Sequence, residues 1–113
     1  MTRASQKDVV LISVVFSDLS QRKFRPAIVM SNDAYNRKSE DFVGIPLTTN
    51  PKVRSHTIPV SSSEMAKGTL AFPSVARADR IFSAKQRLIV QTFGQLSQDT
   101  FEKVRTELIK LIN

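Results

Sequence analysis

The chain has 113 residues, 17 Lys and Arg against 10 Asp and Glu for a net charge of +7, one His and no Cys. The length fits one compact domain over residues 1–113. The missing Cys excludes a disulfide framework, a thiol nucleophile and a thiolate metal site, and the lone His excludes a multi-histidine metal centre within one chain. The charge points to an anionic partner: nucleic acid, an acidic protein or a membrane surface.

The start of the chain is polar and carries no targeting signal. The longest apolar run, Val9 to Phe16, is interrupted by Ser13. It falls far short of the roughly 20 residues that span a bilayer, so a membrane role is not expected and a soluble, cytoplasmic protein is. This run is rich in β-branched residues and predicts a strand buried on both faces. Ser17 to Lys23 reads as a loop. Phe24 to Met30 reads as a second strand, with Pro26 near its start or on an edge. Asn32, Asp33 and Asn36 mark a polar stretch with a short helical turn at Ala34 to Arg37.

Phe42 to Thr49 is the third strand. Its alternation sets Val43, Ile45 and Leu47 on one face and Gly44, Pro46 and Thr48 on the other. Asn50-Pro51-Lys52 ends it. Thr57 to Val60 is a short strand whose Pro59 suggests an edge, and Ser61 to Glu64 is a turn. Thr69 to Phe72 and Ser74 to Phe82 read as extended, and Leu88 to Phe93 as a last strand ended by Gly94. Ser97 then caps a helix with Asp99 in its first turn. Phe101, Val104, Leu108, Leu111 and Ile112 form its apolar stripe, so its end is expected to pack on the core. Short strands followed by one helix predict an α+β, mainly β fold: a small barrel or curled sheet closed by the C-terminal helix.

No P-loop, dinucleotide-binding glycine pattern, nucleophile elbow or metal-ligand spacing is present, so no cofactor or metal is expected. The run Arg22-Lys23-Phe24-Arg25 combines cations that can grip phosphate with an aromatic that can stack on a base. Such a run serves equally as a solvated loop. Thr48, a hydroxyl at a strand end, can contact a substrate or cap a turn. His56, just before a strand, can contact RNA or simply occupy a strand entrance.

Arg25-Pro26-Ala27-Ile28-Val29-Met30-Ser31-Asn32 resembles the "RPAlVvSn" signature of the MazF/PemK (Kid) toxins. Asp8-Val9-Val10-Leu11 resembles the opening strand of that family, and Phe16-Ser17-Asp18-Leu19-Ser20 a loop of its PemK-like branch. Ile45-Pro46-Leu47-Thr48-Thr49 resembles the "apiTs" strand. Pro73-Ser74 with Arg77, Asp79, Ile81 and Phe82 resembles a further block, and Leu88-Ile89 with Gly94-Gln95-Leu96-Ser97 the ending. The similarity spans nearly the whole chain in order.

The resemblance implies an SH3-like barrel with a C-terminal helix and a homodimer. It also implies a toxin of a type II toxin–antitoxin system that cuts single-stranded RNA without a metal, opposed by a MazE/PemI-like antitoxin. In it Arg25 matches the catalytic arginine and Thr48 the catalytic hydroxyl. Ser74, Arg77 and His56 match RNA contacts, beside Arg22, Lys23 and Phe24 of the basic run. Lys7 departs from the pattern, which has Gly there. Ala76 and Ala84 replace bulkier residues, so thinner packing is expected at both. Two alternatives share the fold: a gyrase poison of the CcdB kind, which acts through the end of its C-terminal helix, and a non-catalytic RNA-binding regulator.

Overall fold

The computed structural model describes residues 3–15, 21–50, 52 and 55–113. The expectations for Phe16, the loop at 17–20, Pro51 and Arg54 lie outside these residues. Strand β1 spans Asp8–Val15 and β2 spans Arg22–Val29. Helix α1 follows at Asp33–Lys38 and β3 at Asp41–Thr48. Strands β4 (Thr57–Val60), β5 (Met65–Gly68), β6 (Ser74–Arg77), β7 (Phe82–Lys85) and β8 (Ile89–Leu96) complete the sheet, and helix α2 (Gln98–Ile112) ends the chain.

The strands form one curled antiparallel sheet in the order β4-β6-β3-β2-β1-β8-β5, with β7 paired to β3. The expected barrel with a C-terminal helix is thus present as an eight-strand half-barrel. Strand β1 explains its own unbroken apolarity: Val9 and Val10 are both fully buried, on opposite faces. One core combines Val9, Ile28, Ile45, Leu47, Val60, Ala76 and Leu96 with Phe101 and Val104 of α2. The other combines Val10, Ile12, Ala27, Val29 and Phe42 with Phe82 and Ala84. Ala76 is fully buried in the first core, and Ala84 packs against the second.

Prolines mark where pairing stops. Pro59 lies on edge strand β4, as expected. The β2–β3 ladder starts at Ala27, just after Pro26. On its other edge, β3 pairs with β7 as far as Gly44 and with β6 from Leu47. Pro46, which has no N–H to donate, sits in the gap between these partners. A short 3-10 turn at Ala78–Arg80 carries the chain across that gap.

Several expectations are corrected. Ser74 to Phe82 is not continuous but broken by that turn. Thr69 to Phe72 forms no strand; instead Ser62 Oγ ties the segment by donating to Leu70 O at 2.9 Å and accepting from its N–H at 2.8 Å. Leu88 belongs to a 3-10 turn, and β8 runs on through Gly94 to Leu96. Gly94 continues the strand because it crosses Gly68 of β5, where a Cβ would meet the Lys67 carbonyl oxygen at 2.0 Å. Arg22 and Lys23 lie in β2 rather than in a loop. The end of α2 is not core: Phe101 and Val104 are buried, but Ile109 is 50% exposed and Ile112 75% exposed.

The caps follow the sequence. Ser97 Oγ accepts from Thr100 N–H at 3.2 Å, and Asn32 Oδ1 from Tyr35 N–H at 2.8 Å. The Ser-Asn pair of the signature is therefore structural. Ser31 Oγ also donates to Oδ1 of the buried Asn36 at 2.6 Å and accepts from Val43 N–H at 3.0 Å. Among the described residues no helix is long and apolar enough to cross a membrane.

Candidate nucleic-acid groove

Strand alternation sorts the basic run of β2. Opposite β1, Arg25 pairs with Ile12, Phe24 with Ser13 and Lys23 with Val14. Facing residues of a ladder share a side, so Lys23 and Arg25 lie on the face of Ile12 and Val14. Arg22 and Phe24 lie on the other. Arg22 Nη1 there donates to Ser13 Oγ at 2.7 Å, and Phe24 is 56% exposed.

The β2–β3 register pairs Ala27 with Pro46. Continued by two residues, it sets Arg25 opposite Thr48. The β3–β6 register pairs Thr48 with Val75, and its continuation sets Arg77 opposite Pro46. Arg25, Thr48 and Arg77 thus share one face of three neighbouring strands. They line a groove of about 560 Å³ with Ile12, Val14, Pro26, Pro46, Leu47, Asn50, Arg80 and Phe82. Phe82 packs edge-on to Phe42, ring centroids 6.0 Å apart, and so anchors one end of the groove in the second core. Gly44 lies beneath these rings; an added Cβ would stand 3.0 Å from Phe42 Cε2 and 3.2 Å from Phe82 Cζ.

The groove is strongly positive. Arg77 donates through Nε and Nη2 to the two carboxylate oxygens of Asp79 at 3.3 and 3.0 Å. This fork holds the Asp79 carboxyl below its ordinary pKa, mainly through the Arg77 hydrogen bonds. Arg25 and Arg80 have no carboxylate within ion-pair distance among the described residues. Thr48 Oγ1 accepts from Asn50 N–H at 3.2 Å, which orients the hydroxyl while leaving its hydrogen to donate. Asn50 Oδ1 accepts from Lys52 N–H at 3.0 Å, so the amide NH₂ is its other hydrogen-bonding half.

Other candidate residues stand apart from this lining. Ser74 is on the opposite face of β6 from Arg77, and its Oγ donates to Phe72 O at 3.2 Å. His56 has a left-handed backbone (φ 58°) and its Nδ1 lies 3.2 Å from Glu107 Oε1 on α2. Arg80 and Phe82, which are not candidate site residues in the sequence, join the groove, as does Asn50 at the end of the third strand. Phe82 belonged to a matching block, but only the turn at Ala78–Arg80 brings it and Arg80 into the same groove as Thr48. No group of three His, Cys, Asp or Glu side chains that could hold a metal occurs among the described residues.

Solved structures share this architecture. A MazE–MazF complex from Deinococcus radiodurans superposes with TM-score 0.82 at 21% identity, covering 99% of this chain and 97% of that one. An endoribonuclease in complex with its cognate antitoxin, from a mycobacterial species, gives TM-score 0.76 at 21% identity, covering 99% and 95%. Mycobacterium tuberculosis toxin MazF-mt6 gives 0.67 at 14% identity, covering 91% and 95%. Comparison with curated proteins returns no sequence match. The family model for PemK-like, MazF-like toxins of type II toxin–antitoxin systems matches residues 5–112. That span takes in every element from β1 to α2, so the chain belongs to the PemK-like, MazF-like toxins of type II toxin–antitoxin systems.

Proposed function

We propose that the protein is an endoribonuclease that cuts single-stranded RNA in the groove between β2, β3 and β6. The observation that carries this reading is the meeting of Arg25 and Thr48 on one positive face, with Arg25 unopposed by a carboxylate among the described residues. Endoribonucleases among the structural neighbours support it.

RNA brings its own nucleophile. The ribose 2′-oxygen attacks the adjacent phosphorus and loses its proton. The P–O5′ bond breaks, the 5′-oxygen takes up a proton, and a 2′,3′-cyclic phosphate and a 5′-hydroxyl remain. No metal is required for this sequence of steps. The enzyme's task is to align the 2′-hydroxyl and hold the charge that gathers on the phosphorane oxygens. Arg25 can fork onto two of those oxygens, and Thr48 can donate to one. Arg keeps its proton at all working pH, so Arg25 stabilises charge and does not shuttle protons. Arg77 and Asn50, which line the same groove, are assigned to flanking parts of the strand. Arg22, Phe24, Ser74 and His56 are not part of this groove.

The partner proposed for the same groove is an acidic, MazE/PemI-like antitoxin segment. A MazE–MazF complex and an endoribonuclease–antitoxin complex among the neighbours support that pairing. Homodimerisation is proposed on the same family grounds. The test is incubation of the purified protein with long single-stranded RNA in EDTA, with mapping of the ends. Wild type is expected to leave cyclic phosphates. Arg25→Ala is expected to lose about 10²–10³-fold in rate, the range for one lost charge-stabilising donor. No cleavage by wild type, or equal cleavage by Arg25→Ala, overturns the reading. The exposed last turn of α2 removes the objection that this helix end packs on the core; inhibition of gyrase by intact protein that leaves RNA whole would establish the gyrase-directed alternative instead.

A further inference from the structure

Three arginines in one groove are more than a single phosphate needs, and they are not equivalent. Arg77 is already forked onto Asp79, so much of its charge is met within the protein. Arg25 and Arg80 have no such partner among the described residues. These two stand on different walls. Arg25 projects from β2, across from Thr48. Arg80 ends the 3-10 turn that runs beside Ile45 and Pro46, where β3 changes partner from β7 to β6. Strands rise about 3.4 Å per residue, so the turn lies about 7–10 Å along the groove from Thr48. Among the described residues Arg80 makes no ion pair and only feels the charge of Asp79, which is itself forked by Arg77; two guanidinium groups without an ion-pair partner among those residues, separated along one groove, match successive phosphates of a single strand, each a bidentate acceptor.

We propose that Arg80 holds a second phosphate of the RNA, at least one nucleotide away from the phosphate cleaved at Arg25 and Thr48. This rests on the ribonuclease reading and extends it. The substrate is a stretch of strand with at least one phosphodiester besides the one cut, and Arg80 is a binding residue rather than a catalytic one.

The experiment compares a dinucleotide, which has one phosphodiester, with a tetranucleotide of matched cleavage step. It is run with wild type, Arg80→Ala and Arg80→Lys. The ratio of kcat/KM between long and short substrates is expected to fall about tenfold in Arg80→Ala, the size for one charge-assisted hydrogen-bonded pair. The loss should lie mainly in KM, and Arg80→Lys should recover part of it. Binding of a tetranucleotide with a 2′-deoxy sugar at the cleaved step is measured against salt. The logarithmic salt slope should become shallower by about 0.7 in Arg80→Ala, the value for one fewer neutralised phosphate on a single strand. A merely structural Arg80 would lower both substrates alike and keep the ratio. If wild type cleaves and Arg80→Ala keeps both ratio and slope, the inference falls while the ribonuclease reading stands. If wild type cleaves neither substrate nor long RNA, the ribonuclease reading itself falls and this inference with it.

Discussion

Gln86 offers the sharpest test of how the second core is closed. Its side chain is 2% exposed. Its Oε1 accepts from Ala4 N–H at 2.9 Å, and its Nε2 donates to Asn36 O, Ser39 O and Asp41 O at 2.9, 3.0 and 3.1 Å. One amide therefore joins the N-terminal segment, α1 and β3. Gln86→Leu orphans the Ala4 N–H, while Asn36 O and Ser39 O keep the Arg3 guanidinium. Two amide hydrogens shared among three carbonyls, plus the one accepted bond, make about three hydrogen bonds' worth; at about 1 kcal/mol each their loss predicts about 3 kcal/mol of destabilisation at any pH. Gln86→Glu is different, because it turns a donor into a second acceptor facing three carbonyls. Protonated, it can still donate one bond, and the cost should be about 1 kcal/mol. Ionised, it is buried and faces carbonyl oxygens, with Arg3 and the adjoining Arg87 as the cations that line the same pocket. Its native pKa is thus raised. The protonated form's stability is fully present below the unfolded glutamate value of about 4.3 and is lost as pH rises through the raised native value. A rise of about two units corresponds to an added loss of about 2.7 kcal/mol at neutral pH. Urea denaturation of wild type and both variants at pH 4 and pH 7.5 reads this directly. A gap between Gln86→Glu and wild type that is equal at the two pH values, or larger in acid, would refute the reasoning.

Lys7 holds a left-handed backbone (φ 79°) where the resembling family has Gly; Lys7→Gly is expected to stabilise by about 1 kcal/mol in denaturant titration, and Lys7→Ala not to. Gly94→Ala, whose Cβ would meet the Lys67 carbonyl oxygen at 2.0 Å, should cost far more stability in denaturant titration than the roughly 1 kcal/mol of an ordinary substitution. Hydrogen bonds from Ser63 and Ser61 lower the Glu64 pKa. The stability they confer is complete above the ordinary carboxylate range, about pH 3.9–4.3, and is lost as pH falls through the lowered native value. Melting temperatures of wild type and Glu64→Gln should therefore converge in acid. Thr48→Val, which removes the hydroxyl at nearly constant volume, should slow RNA cleavage about 10²-fold while the melting temperature moves little.

Much of the fold was legible because its signals are local. β-branched runs marked β1 and β3, Ser97 marked the start of α2, and Pro59 marked an edge. The corrections come from pairing, which is not local. Met65-Ala66-Lys67-Gly68 has no strand-like pattern and becomes β5 only because β8 lies beside it. Thr69 to Phe72 has a strand-like composition but no partner strand. The basic run of β2 shows how one boundary alters a site. Read as a loop up to Lys23, it suggests four residues acting together. Begun at Arg22, the same strand sends Lys23 and Arg25 to the groove face and Arg22 and Phe24 away from it.

By itself, then, the sequence determined a basic, cysteine-free, mainly β chain with a capped amphipathic helix. Its resemblance to a toxin family singled out Arg25 and Thr48. Composition, periodicity and capping are properties of neighbouring residues and need no partner to be read. The tertiary structure decided which cations share a face, that Arg77 is tied to Asp79 while Arg80 has no carboxylate partner among the described residues, and that the last turn of α2 stays exposed. Each of these depends on which strand lies beside which, and in what register. A shift of one residue sends a side chain to the opposite face of the sheet, so the groove exists only once the pairing is set.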